Sequence, residues 1–207
     1  MSLATTLTAR LSSTLQKLSE LFNASRAPAG YRPGVTLEYL RRNLGLASFS
    51  ATGAASAGFY LDDADLHVSV VERTESQLLM HLVMTEFMIQ VPALEQGGAR
   101  LDLHHSGSIR RTGLGCRQRT GEAGLRARLM DALEGDRALH QALMVLDFKR
   151  LRIDLDGQHW QVRLEHMGGS EVVNRMPAFR RYIALSPAQR AALFTVLAGL
   201  QRVLGGL

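Results

Sequence analysis

The chain of 207 residues has one cysteine, Cys116, one tryptophan, Trp160, and two lysines, Lys17 and Lys149. A lone cysteine excludes an internal disulfide framework and any zinc site built on several thiolates. It suits a reducing compartment, and a soluble, cytoplasmic, bacterial-type protein is the expectation. No stretch nears the ~20 apolar residues that a membrane-spanning helix needs. The N-terminus lacks the continuous apolar core of a secretory signal.

Standard catalytic and cofactor motifs are missing as well. There is no GxxxxGK[ST] phosphate loop, no GxSxG nucleophile elbow and no HExxH metal pair. Gly113 and Gly115 form a bare GxG without the third glycine of a dinucleotide loop. No cofactor is therefore expected. Aromatic residues make up 6% of the chain, and none lies among the arginines of residues 108–121, which argues against stacking on single-stranded bases.

The scarcity of lysine means that 22 of the 24 basic residues are arginine, within a net charge of +5. Arginine grips carboxylate or phosphate with a planar fork, whereas lysine offers a point charge. The bias has two readings, a GC-rich coding sequence and recognition of anions.

What remains is ordinary globular composition, 46% hydrophobic and 21% charged, enough to bury a core. Leu3, Leu7, Leu11, Leu15 and Leu18 fall at helical spacing, which predicts an amphipathic helix over residues 1–27. Prolines and glycines mark 28–35 as a linker. A second helix is expected, with Thr36 as its N-cap and its end near Ala47. Leu66, Val68 and Val70 then alternate as a strand that ends in a polar turn at Glu72 to Ser76.

The Met-rich stretch Leu78 to Val91 reads as a strand with apolar residues on both faces, ended by Pro92. Another strand places Leu101, Leu103 and His105 on one face and Arg100, Asp102 and His104 on the other. Two short helices follow, the second capped by Asp136. Asp156 and Gly157 predict a tight hairpin with Ile153 opposite Trp160 and Leu151 opposite Val162, one face buried and one wet. Ser186, Pro187 and Gln189 form a capping box that opens a closing helix.

These blocks imply an α+β fold, an antiparallel β-sheet with helices packed mainly on one face. Residues 36–207 are expected to form a single α+β domain, with two loosely similar halves, 36–120 and 121–207, as a further possibility.

The candidate chemistry is narrow. His104 and His105 project to opposite faces of a strand, and Asp102 with His104 is a thin ligand pair, so no metal is expected. His67, His81, His140, His159 and His166 are assigned surface or edge positions. Cys116 lies among arginines that would favour a thiolate, but it matches no family signature and reads as a small buried hydrophobe. Arg110, Arg111, Arg117 and Arg119, with His104, remain as anion-binding candidates. Their alternative role is a positively charged sheet edge that resists pairing with other strands.

The leading expectation is a non-catalytic binding or regulatory domain that self-associates through apolar helix faces. The alternative is a binding protein or enzyme for an anionic or lipid-like small molecule, its pocket lined by arginine and by the Met-rich stretch. Nonspecific nucleic-acid binding ranks behind both.

Overall fold

In a computed structural model, residues 31–76, 80–107, 112–175 and 178–207 are described. The expected helix at 1–27, the start of the linker, and Arg110 and Arg111 lie outside them. The elements run α1 (Val35–Leu44), β1 (Ser50–Gly53), β2 (Ser56–Leu61), a short 3-10 turn (Asp62–Ala64), β3 (Leu66–Ser76), β4 (Met80–Ser106), β5 (Gly113–Thr120), α2 (Leu125–Gly135), α3 (Arg137–Val145), β6 (Phe148–Arg175), β7 (Ala178–Ile183) and α4 (Pro187–Gly205). Among the described residues the result is a curled antiparallel sheet with four helices, an α+β architecture.

The sheet runs β1-β2-β3-β4-β6-β7, and β5 also pairs with β4. β4 and β6 are its spine. β6 reverses direction within itself, because the Met167 amide donates to the Asp147 carbonyl and Arg150 reaches Glu165. Gly157, at φ 61°, takes the left-handed conformation where the chain turns back.

β4 wraps this reversal. Residues 80–92 pair with the second arm of β6 and 97–103 with the first, while Gly97 and Gly98 lie opposite Gly157 and Asp156 at the tip. The chain thus turns back near the expected Asp-Gly pair, with Gly157 but not Asp156 in the left-handed conformation. The flanking β4 strand supplies further partners: Ile153 lies opposite Leu101 and Trp160 opposite Val91.

Two expectations about strand ends are corrected. β3 continues through residues 72–76 because Glu72 to Ser76 pair with His81 to Thr85. Pro92 does not end its strand; it sits beside the irregularity between Pro92 and Gly97, where the lack of an amide hydrogen is tolerated. The hairpin β1–β2, in the small-residue stretch after α1, has no period that would predict it. The predicted wet face of β6 is also drier than alternation implies, since Asp154 and Glu165 are buried in ion pairs with Arg100 and Arg150.

A single cluster of buried side chains includes Leu40 of α1, Phe59 of β2, Phe87 and Leu101 of β4, Leu129 of α2, Leu143 of α3, Ile153 of β6 and Leu197 of α4. Phe59 stacks on Phe49 at 5.9 Å and meets Phe87 and Phe194 edge-on. Two of the three predicted caps form: Asp136 accepts from the Leu139 amide, and Ser186 with Gln189 makes the capping box, whereas Thr36, expected to cap α1, lies inside that helix, whose N-cap is Gly34.

One cap comes from outside its own helix. Gly34 precedes α1 and has no side chain to offer, so Glu72, buried in β3, accepts from the Gly34 and Leu37 amides at 3.0 and 3.1 Å and from the Tyr31 hydroxyl at 2.6 Å. Glu72 thereby fastens the end of the linker to the sheet. Replacing Glu72 with alanine strands two helix-end amides, and a loss of about 2 kcal/mol of stability is expected in urea unfolding. An unchanged midpoint would show that this contact contributes nothing.

Candidate functional site

The side of the sheet that carries the predicted arginines is built by strict alternation. Leu101 and Leu103 of β4 and Leu151 and Ile153 of β6 are buried in the core. Their neighbours Arg100, Asp102, His104, Arg152 and Asp154 therefore project the other way. β5 lies on one edge of this part of β4 and β6 on the other, so Asp102 is opposite both Arg117 and Arg152. The row Arg117–Asp102–Arg152 crosses three strands.

Asp102 is saturated by its neighbours. Arg119 Nε lies 2.9 Å from one carboxylate oxygen and Arg152 Nε 3.0 Å from the other. Burial alone would raise the Asp102 carboxyl, but the hydrogen bonds from Arg119 and Arg152 more than offset it and hold the group below its ordinary range. Arg117 is exposed and makes no ion pair among the described residues.

Around this row opens a shallow groove of about 390 Å³, lined by Asp102, His104, Arg117, Arg119, Lys149, Arg150 and Arg152 together with Leu103 and Leu151. Five cationic side chains face one acid there. Arg150 is tied to Glu165 at 3.1 Å and Lys149 to Glu75, both acids outside the lining. Arg119 and Arg152 engage Asp102 through Nε, which leaves their outer nitrogens as donors. His104 lies beside Gly115 across the strand pair; a Cβ there would sit 2.6 Å from His104 Nε2, so glycine makes room for the ring.

Of the five sequence-predicted site residues, the fold thus brings His104, Arg117 and Arg119 onto one concave surface. Arg110 and Arg111 lie outside the described residues. Lys149, Arg150 and Arg152 were missed. Their signal was present in the "KRLRID" alternation, but only strand pairing reveals that this segment lies beside Asp102. Met80, Met84 and Met88 do not line the groove, so the expected combination of a methionine wall with an arginine head is not assembled there.

Cys116 points the other way. It belongs to the core cluster, and burial pushes its thiol up despite the nearby Arg126. His104 faces outward, and His105 donates from Nε2 to the Leu143 carbonyl at 2.9 Å while its ring lies 4.2 Å from Phe148. Neither histidine is placed to deprotonate the thiol.

His81 and His166 correct the surface assignment, being 1% and 0% exposed. His166 accepts from the Asp147 amide where the two arms of β6 close on each other. Among the described residues, no group of three or more His, Cys, Asp or Glu side chains is arranged to hold a metal ion. No described helix is long and apolar enough to cross a membrane.

Two outcomes follow from these positions. Cys116 in the folded protein should react with a disulfide probe only as fast as the core opens and at full rate in urea; equal rates would place the thiol at the surface. Asp102 titrates lower in the folded chain than in the unfolded one. Its contribution to stability is therefore present above the ordinary carboxylate value of 3.8 and is lost as the pH falls through the lower folded value. Asp102→Asn should shrink the loss of stability measured between about pH 5 and pH 2, and an unaltered pH profile would count against the pairing.

No curated protein and no solved structure is significantly similar to this chain. The family described as "Protein of unknown function (DUF3156)" matches residues 42–204, from the end of α1 to the last turn of α4, and the chain belongs to that family.

Proposed function

We propose that this chain is a binding domain without catalysis of its own, and that its ligand is an anion held in the groove between β5, β4 and β6. The observation that carries the reading is the convergence of Arg117, Arg119, Lys149, Arg150 and Arg152 around a single acid that two of them already satisfy. A guanidinium without an ion-pair partner among the described residues, flanked by others with spare N–H groups, offers charge-assisted hydrogen bonds to phosphate, sulfate or carboxylate. The groove is open and its lining mostly polar, which suits the head of a small anionic molecule better than an apolar chain. Nothing in the lining combines a nucleophile with an acceptor for its proton.

The same reading treats residues 36–207 as one unit with helices mainly on the side of the sheet opposite the groove. The continuous core supports this, and the pairing of β4 with β6 joins residues that a division at 120 would separate. Self-association through apolar helix faces has less support, because the α4 stripe Leu193, Val196, Leu197 and Leu200 is buried within the chain. Nucleic acid also fits poorly: the groove lining contains no aromatic side chain on which a base would stack.

The test is thermal shift at constant ionic strength against pyrophosphate, nucleoside phosphates, sugar phosphates and a single-stranded oligonucleotide. At least one small anion should raise the melting temperature with dose, and Arg117→Ala should weaken the response about tenfold or more. Stabilisation by none of them, or equal stabilisation of Arg117→Ala, would remove the groove as the site. A response confined to the oligonucleotide and falling steeply with salt would replace the small anion by a polyanion.

A further inference from the structure

The described residues begin at Tyr31, which Glu72 ties to the sheet just ahead of α1. Where α1 ends, an open groove of about 490 Å³ lies between the β2–β3 connection and α4, and it shares no lining residue with the basic groove. Leu46, Leu61, Ala64 and Phe194 line it half-buried and pack against the core, and Phe194 meets Phe59 edge-on at 6.3 Å. Asp62 and Asp63 line it too, both exposed and in no ion pair among the described residues. The groove thus joins an apolar floor, continuous with the core, to exposed negative charge.

We propose that this groove is the docking site for the N-terminal segment of the same chain, bound as an amphipathic helix whose leucine stripe covers the apolar floor. Leu7, Leu11, Leu15 and Leu18 supply the stripe. Arg10 and Lys17 each stand one residue before a leucine of it and seven residues apart, so in a helix both flank the stripe on one side. No acid precedes Glu20, and the segment is therefore complementary in charge to Asp62 and Asp63. Its length fits as well. α1 has 10 residues and spans about 15 Å. A helix returning alongside α1 from the turn residues Pro28 to Gly34 covers that distance in about ten residues, which sets Lys17 level with Leu46 and Arg10 about 10 Å beyond. Charge also chooses between apolar surfaces. Met80 and Phe179 are exposed in one row across β4, β6 and β7, but the exposed Arg180 and Arg181 beside Phe179 repel this segment.

The full chain is tested with a nitroxide on Ser13→Cys, a position turned away from the leucines, while the buried Cys116 stays unlabelled in the folded protein. The label should broaden the amide resonances of Asp63 and Ala198 more than that of Phe179. In hydrogen exchange, the amides between Leu7 and Leu18 should be slowed about tenfold or more relative to the unfolded chain. Asp62→Lys with Asp63→Lys should speed them about fivefold while Leu197 in the core keeps its protection, and adding Arg10→Glu with Lys17→Glu should restore slow exchange. Exchange of the segment at the unfolded rate overturns the proposal, as does protection indifferent to reversal of the two acids, or broadening centred on Phe179. Equal broadening in ¹⁵N chains mixed with nitroxide-bearing chains would make the occupant a second copy, and it too overturns docking within one chain.

Discussion

The antiparallel pairing of β4 with both arms of β6 is the constraint on which the other features rest. Once β6 reverses at Gly157 and β4 follows around its tip, each long strand contributes to both ends of the curled sheet. β3 then extends one half of β4 and β5 the other. Residues 48 positions apart at Leu103 and Leu151 and 94 apart at Met80 and Asn174 become neighbours. The helices pack onto a core that this pairing has already brought together.

The same pairing decides where charge accumulates. Alternation gives β4, β5 and β6 each a polar face, and register sets those faces side by side. Asp102 is held between arginines from two other strands, and Arg150 satisfies Glu165 across the reversal. Acids there are fewer and more buried, whereas the arginines keep exposed ends. A sheet surface arranged in this way retains an excess of donors after its internal ion pairs are formed. That excess is what the proposed anion site rests on.

A cavity beside Trp160 has a different origin. Strand pairing satisfies backbone groups but not the indole of a residue that packing carries into the core, and the crossing of β4 over the tip leaves a small void beside it. The basic groove and this cavity thus differ in chemistry: one is dominated by cations, whereas the other mixes Leu125, Leu155, Leu207 and Trp160 with Glu95, Gln96, Glu122 and Arg128. Glu72 shows the contrary case, a buried acid whose oxygens are taken up by the helix end it fastens.

Local signals in the sequence determined most helices, two of their caps and the alternating faces of the strands, because a cap needs only three or four neighbouring residues and a period only a short window. Ser186, Asp136 and the Asp156–Gly157 reversal were legible for that reason. The same signals placed His104, Arg117 and Arg119 as anion candidates and Cys116 as an inert core thiol. Tertiary structure alone decided that Lys149, Arg150 and Arg152 join them, that β3 runs past Glu72, that β4 passes through Pro92 and that His81 and His166 are buried. Each of those depends on which strand lies alongside, and backbone hydrogen bonds between strands join residues without regard to their distance in sequence.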